Sequence, residues 1–324
     1  MMASCEVEFS PNAEWKNIPV VYCILDQDDD TSWVRLERCY LSSDGAFTHG
    51  RDADSINYPE GAVSVAILAY ENGALKDSLP FQYTLRPRDT GTFASEPQPL
   101  YYCFTRNRLK FNYQYILKVR NGDGSLLLST DPVRLISNPE NELLFTNPDN
   151  MRNRFAFYSS EAQGSPAENC AICWRTLENA RSYQPMVRFY YQVHSETRHV
   201  DLFCRKVNVK STNTTSCTTY YQRRVFLDDL KEKLKSDTAS HKKYIPRVDI
   251  YLTSCTEDIN AYMNSVDMGN HVTDGDYQLY TNVHGGLGIF GARRTHLYRS
   301  MDADTSLVDK KGLFWFLINE LGME

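Results

Sequence analysis

No run of this chain is apolar for the roughly 18 residues that a membrane-crossing helix requires. The longest candidates, such as Val63 to Tyr70, have the length of a strand. An excess of basic residues is also missing: 35 Lys and Arg stand against 41 Asp and Glu, a net charge of -6. That balance leaves no electrostatic footprint for nucleic acid. Histidine is scarce, with seven in the chain and none in H-E-x-x-H or another paired helical spacing, so a zinc hydrolase has no ligand set. Cys170 and Cys173 make half of a zinc knuckle, but Cys204 and Cys217 are too widely spaced to complete it. Residues three apart on a strand also point to opposite faces. No G-x-S-x-G elbow is present, which removes the α/β-hydrolase triad. The acidic stretch Asp26-Gln27-Asp28-Asp29-Asp30 lacks the glycine and distal glutamate of a calcium loop and reads as a solvated turn. The residues thus point to no catalytic group, no metal ligand and no cofactor.

What is present is β-forming material. The 324 residues suffice for two domains, and 21 Tyr beside 15 Phe is an aromatic load suited to half-buried strands. Ile18 to Leu25 reads as a buried strand and Trp33 to Tyr40 as a half-exposed one. Gly61 to Glu71 alternates and meets the turn signal Asn72-Gly73; Phe81 to Leu85 continues the pattern. Asn112 to Val119 leads through Asn121-Gly122-Asp123-Gly124 into Ser125 to Ile136. Short strands at regular spacing predict an N-terminal immunoglobulin-like β-sandwich over residues 1–137. Breaker clusters at 137–141 and 147–150 place a boundary there. Residues 138–324 are expected to form a second β-rich domain with helical insertions. Its strands are expected at Arg154 to Ser159, Ala171 to Trp174, Met186 to Val193, His199 to Val209 and Asp249 to Thr253. Its helices are expected at Leu227 to Lys235, after a capping box Ser254-Cys255-Thr256-Glu257, and at the C-terminus, where Phe314, Leu317, Ile318 and Leu321 share a face.

Near the C-terminus, Gly286-Leu287-Gly288-Ile289-Phe290-Gly291 satisfies the spacing of the dinucleotide-binding fingerprint, which works only between a strand and a helix in a parallel βαβ unit. The residues that follow, Arg293 to Arg299, alternate like a strand. The glycines are therefore read as a tight turn feeding a late strand, with a close backbone approach. The doublets Tyr101-Tyr102, Tyr190-Tyr191 and Tyr220-Tyr221 each send one ring inward and one outward on a strand. The outward rings suit stacking on an oligosaccharide or peptide. Tyr191, Tyr221, Arg293 and Arg294 are the candidate ligand contacts, the arginines as a clamp for an anionic group.

Ala3-Ser4-Cys5 resembles a bacterial lipobox, with Cys5 as the acylated residue, Glu6 and Glu8 as an acidic export tag of Bacteroidetes type, and Met2 where such boxes carry Leu. On this reading a signal peptide has been removed ahead of Cys5; the alternative is a cytosolic chain with an N-terminal cysteine. Assigning Cys5 to a lipid leaves an even set of cysteines, free either to pair or to stay reduced. Cys173-Trp174-Arg175, Ala180, Tyr183 and Val187 to Tyr190 resemble the tryptophan strand and its neighbour in fibronectin type III modules. Taken with Pro19-Val20-Val21, Val63 to Ile67, Tyr115 to Val119, Tyr251 to Val266 and Gly285 to Ala292, the chain resembles a Bacteroidetes lipoprotein family of unknown function. Members of that family are often encoded beside TonB-dependent outer-membrane receptors. The resemblance implies a surface-exposed outer-membrane lipoprotein, held to the membrane by its lipid alone. It would act as a non-catalytic accessory of nutrient uptake, with such a receptor as partner. A structural or adhesive surface subunit and an extracellular hydrolase with a facing carboxylate pair are the alternatives.

Overall fold

A computed structural model of the chain describes residues 18–39, 56–87, 97–138, 154–155, 169–209, 214–239, 241–269, 279–303 and 313–324. The fold is mainly β, of sandwich type, with few helices and one of them at the C-terminus. The first strands are β1 (Pro19–Leu25), β2 (Thr31–Arg38), β3 (Val63–Glu71), β4 (Ala74–Pro80), β5 (Gln82–Arg86), β6 (Gln98–Phe104), β7 (Gln114–Asn121), β8 (Leu126–Thr130) and β9 (Val133–Arg134). Then come β10 (Arg154–Phe155), β11 (Asn169–Arg175), β12 (Ser182–Val193), β13 (Glu196–Phe203), β14 (Val207–Asn208) and β15 (Ser216–Gln222). Helix α1 (Arg223–Ser236), β16 (Lys242–Cys255), helix α2 (Glu257–Gly269), β17 (Val283–His284), β18 (Leu287–Ala303) and helix α3 (Leu313–Asn319) complete the order.

The chain divides into two compact units. The first comprises residues 1–135 and 261–292, the second 136–260 and 293–324. Both α2 and β18 run through the division, so a segment late in the sequence belongs to the first unit.

In the first unit, one sheet has the order β1, β2, β6, β5, with residues 287–292 of β18 beside β1. The other has the order β17, β8, β7, β3, β4, with β9 on β7. Alternation decides which side chains each sheet buries. Val21, Cys23, Leu25, Val34, Leu36 and Tyr101 from the first sheet share a core with Val65, Ile67, Leu79, Tyr115, Leu117 and Val119 from the second. Burying one such side chain contributes roughly 1.5–3 kcal/mol relative to leaving it in water. The β3–β4 hairpin turns at Asn72 and Gly73, both at positive φ (49° and 79°), the pairing that a two-residue turn of matching twist demands.

The glycine stretch answers a geometric need. Strand β1 pairs with β18 in parallel, Val20 opposite Leu287 through Leu25 opposite Ala292, and β18 continues as a strand beyond Gly291 with no helix. A Cβ at Gly286 would lie 2.5 Å from the Pro19 carbonyl oxygen. The acidic stretch after β1 is a turn: the Asp28 amide donates to Asp26 Oδ1 at 3.1 Å, and Asp30 pairs with Arg106.

In the second unit, β13, β12, β16 and residues 293–302 of β18 lie side by side, with β14 on β12, and β11 pairs with β15. Helix α1 lays Phe226, Leu227, Leu230 and Leu234 into a core with Trp174, Tyr183, Phe189, Ile250 and Leu317. The expected capping box is displaced. Ser254 lies within β16 and its hydroxyl donates to the Arg294 carbonyl at 3.2 Å; α2 begins only at Glu257, where the Asn260 amide donates to the Thr256 carbonyl at 3.0 Å. Pairing with β12 and β18 offers Ser254 ladder partners on both sides, which outweighs a local cap.

Candidate functional site

An antiparallel sheet with one face in the core ordinarily turns polar side chains outward. The sheet β1–β2–β6–β5 does the reverse over part of its outer face. Gln82, Tyr102 and Trp33 stand opposite one another across β5, β6 and β2. The Trp33 and Tyr102 ring centroids are 5.7 Å apart at 37°. The Phe104 ring stands edge-on to Tyr102 at 5.8 Å and is 69% exposed. The Tyr102 hydroxyl donates to Gln82 Oε1 at 2.8 Å, which fixes the ring, and Gln82 is itself exposed. The Arg86 guanidinium lies 5.0 Å from the Trp33 ring centroid, a cation–π contact, and has no carboxylate partner among the described residues. Nearby, exposed Arg35 is already neutralised by Glu37 at 2.7 Å. The result is an amphipathic surface: aromatic rings bordered by hydrogen-bond donors and by a cation with no carboxylate partner among the described residues.

Of the candidate contacts taken from the sequence, Cys5 lies outside the described residues. Tyr191 and Tyr221 require correction, because they are the inward members of their doublets, 3% and 4% exposed. Tyr191 packs among Val187, Phe189 and Val193, and its hydroxyl donates to Asp237 Oδ2 at 2.6 Å. Burial and that bond push it up to about 12. Tyr221 packs edge-on to Phe226 and donates to Asp229 Oδ2 at 3.1 Å; burial first, then Asp229, raise its pKa far above the ordinary value. Neither ring is available for stacking. The outward members are Tyr190 and Tyr220, the latter 61% exposed. Arg293 and Arg294 do not form a clamp either: adjacent residues of β18 face opposite ways, and Arg293 is exposed while Arg294 is buried. The remaining doublet, Tyr101-Tyr102, places its outward ring against both Trp33 and Phe104.

The second unit carries a network of cations and rings on β12, β13 and β16. Tyr190 donates to Asp249 Oδ2 at 2.7 Å, and Arg247 binds both oxygens of Asp249 at 3.0 and 2.9 Å while lying 5.1 Å from the Tyr190 centroid. Arg188 grips Asp201 at 2.7 and 2.8 Å and covers the Tyr251 ring at 4.8 Å. Here each arginine is already matched by a carboxylate, so the network closes on itself. Among the described residues no three His, Cys, Asp or Glu side chains converge to hold a metal ion, and no helix is long and apolar enough to cross a membrane.

Trp33, Phe104 and Arg86 were not singled out by sequence. The signal for Trp33 was its phase: it shares a side of β2 with Arg35 and Glu37, the polar side. Phe104 likewise keeps step with Tyr102 rather than with buried Tyr101 and Cys103.

No protein-family model and no curated protein matches the chain. Solved structures that match include two crystal forms of a cytokine receptor complex. The first shares 10% identity over 74% of this chain and 86% of that chain, with a TM-score of 0.22. The second shares 11% over 74% and 92%, with a TM-score of 0.21.

Proposed function

We propose that the chain is a non-catalytic surface lipoprotein that binds a nutrient beside a TonB-dependent outer-membrane receptor, and that the outer face bearing Trp33, Tyr102 and Phe104 is its ligand contact. The observation that carries the binding role is the outward aromatic group itself. Rings held in place by Gln82 and Arg86 on the solvent side of a sheet contribute nothing to the core beneath. Leaving Phe104 largely in water forgoes the burial that would repay it. The anchor and the receptor come from the sequence resemblance: the lipobox-like Cys5 would be acylated, and the several chains of a bacterial lipoprotein hold a protein where a single chain does so only marginally.

Two measurements test this reading. Radiolabelled palmitate fed to cells expressing the full-length gene product should label the wild type and not Cys5→Ala; equal labelling of both removes the anchor. Affinity purification from solubilised outer membranes should recover a TonB-dependent receptor, identified by mass spectrometry. Its absence from cross-linked preparations would remove the uptake role.

A further inference from the structure

We infer that the ligand of this face is an acidic saccharide, its rings packed against Trp33, Tyr102 and Phe104 and a uronate carboxylate held by Arg86. The inference rests on the preceding reading of the face as the contact surface, and it deepens that reading by naming the chemistry.

Three observations lead to it. First, the rings stand on two neighbouring strands of one sheet, Trp33 tilted by 37° to Tyr102 and Phe104 edge-on to it, so they form an open aromatic surface and not a closed pocket. Peptide side chains draw their binding energy from desolvated pockets, whereas a sugar offers a flat C–H face that an aromatic platform covers. Second, the rim supplies donors to a ligand. The Tyr102 hydroxyl proton is spent on Gln82 Oε1, which leaves the Gln82 amide N–H groups, the Thr84 hydroxyl on the same face of β5, and the Arg86 guanidinium. That set complements a ligand rich in acceptor oxygens. Third, Arg86 is the cation on this face without a carboxylate partner among the described residues, while Arg35 beside it is paired with Glu37 and Arg106 with Asp30. Stacked over Trp33, the guanidinium keeps its edge for a carboxylate, in the fork geometry that favours two parallel hydrogen bonds.

The test is affinity electrophoresis of the whole protein in gels containing polygalacturonate or, as the neutral counterpart, a galactan. Retardation by polygalacturonate is expected, at least about thirtyfold weaker for Phe104→Ala, the threshold at which a contact counts as a hot spot. Arg86→Gln should remove the preference for the acidic polymer. Phe104 and Arg86 are exposed, so both variants are expected to keep the wild-type melting curve. Equal binding to the galactan, unchanged by Arg86→Gln but lost in Phe104→Ala, overturns the carboxylate and leaves the contact surface standing. Retardation by neither polymer, with displayed peptides retained by wild type and released by Phe104→Ala, overturns the saccharide and again leaves the surface. Polygalacturonate binding indifferent to both Phe104→Ala and Trp33→Ala overturns the surface itself.

Discussion

The carbonyl oxygen of Val21 stands where a side chain at residue 288 would have to go: a Cβ built on Gly288 would lie 1.9 Å from it. Gly288 also sits at φ 112°, a conformation that costs other residues strain. The contact is backbone, so no rotamer change relieves it. Gly288→Ala should therefore separate β18 from β1 and cost more than about 2 kcal/mol, read as a lowered urea midpoint. Gly124→Ala is the control. Gly124 has φ 84° but nothing within 4 Å of its Cβ position, so only the conformational term, about 1–2 kcal/mol, should appear. Equal losses in both variants would mean that the close approach to Val21 carries no weight.

Asp237 makes the second unit sensitive to acid. Its carboxylate accepts from the Tyr191 hydroxyl at 2.6 Å, the Ala239 amide at 2.9 Å and Arg198 Nη1 at 2.9 Å, and these bonds hold its pKa well below the usual carboxylate range. Because the folded pKa is depressed, the stabilisation is complete above the unfolded value near 4 and is lost as pH falls below it. Urea midpoints should drop on acidification from pH 5 to pH 2. Asp237→Asn should be less stable at pH 7 by about 1–3 kcal/mol, with a flatter pH profile over the same range. A wild-type slope retained in Asp237→Asn would assign the acid sensitivity elsewhere.

At the alkaline end the sign is the opposite. Burial raises Tyr101 and Tyr115 to about 12, and burial with a carboxylate neighbour does the same for Tyr190 and Tyr191. These phenols ionise later in the folded than in the unfolded chain, so stability should hold to about pH 10 and fall as pH rises toward 12. Tyrosinate absorbance in the native protein should show a group of late-titrating residues that joins the main step when urea is added. One tyrosine step near pH 10 in the native protein would contradict the burial of these hydroxyls.

Phe104 and Phe189 should separate cleanly in a stability measurement. Phe104 is 69% exposed, so Phe104→Ala should change stability by no more than about 0.5 kcal/mol. Phe189 is fully buried and stacks on Tyr244 at 5.8 Å, so Phe189→Ala should cost about 3–5 kcal/mol. A large loss at Phe104 would make the outward rings structural and weaken the binding role.

Much of the strand content was legible because period-two patterning is written locally: Val63, Val65, Ile67 and Ala69 announce the buried side of β3 without knowledge of any partner. The inward turn of Tyr191 was legible by the same rule. Arg188 and Gln192 share a phase with Tyr190, while Val187, Phe189 and Val193 share one with Tyr191. In β15, Cys217, Thr219 and Tyr221 form the buried set. Strand β4 escaped notice because Ala74 to Pro80 is largely exposed and nearly patternless, and it forms by pairing with β3. The aromatic face could not be read as a unit, since its members come from three separated stretches whose register is set by pairing.

By itself the sequence determined that the chain is β, where most strands begin and turn, and which side of each strand is oily, because those properties follow from alternation and turn chemistry within a few residues. Only the tertiary structure decided that Leu287 to Ala292 lies parallel to β1, that α2 and β18 divide between two units, and that Trp33, Tyr102, Gln82 and Arg86 meet on one surface. Such neighbours are chosen by long-range strand pairing and core burial, whose energy belongs to the assembled sheet and to no single stretch of chain.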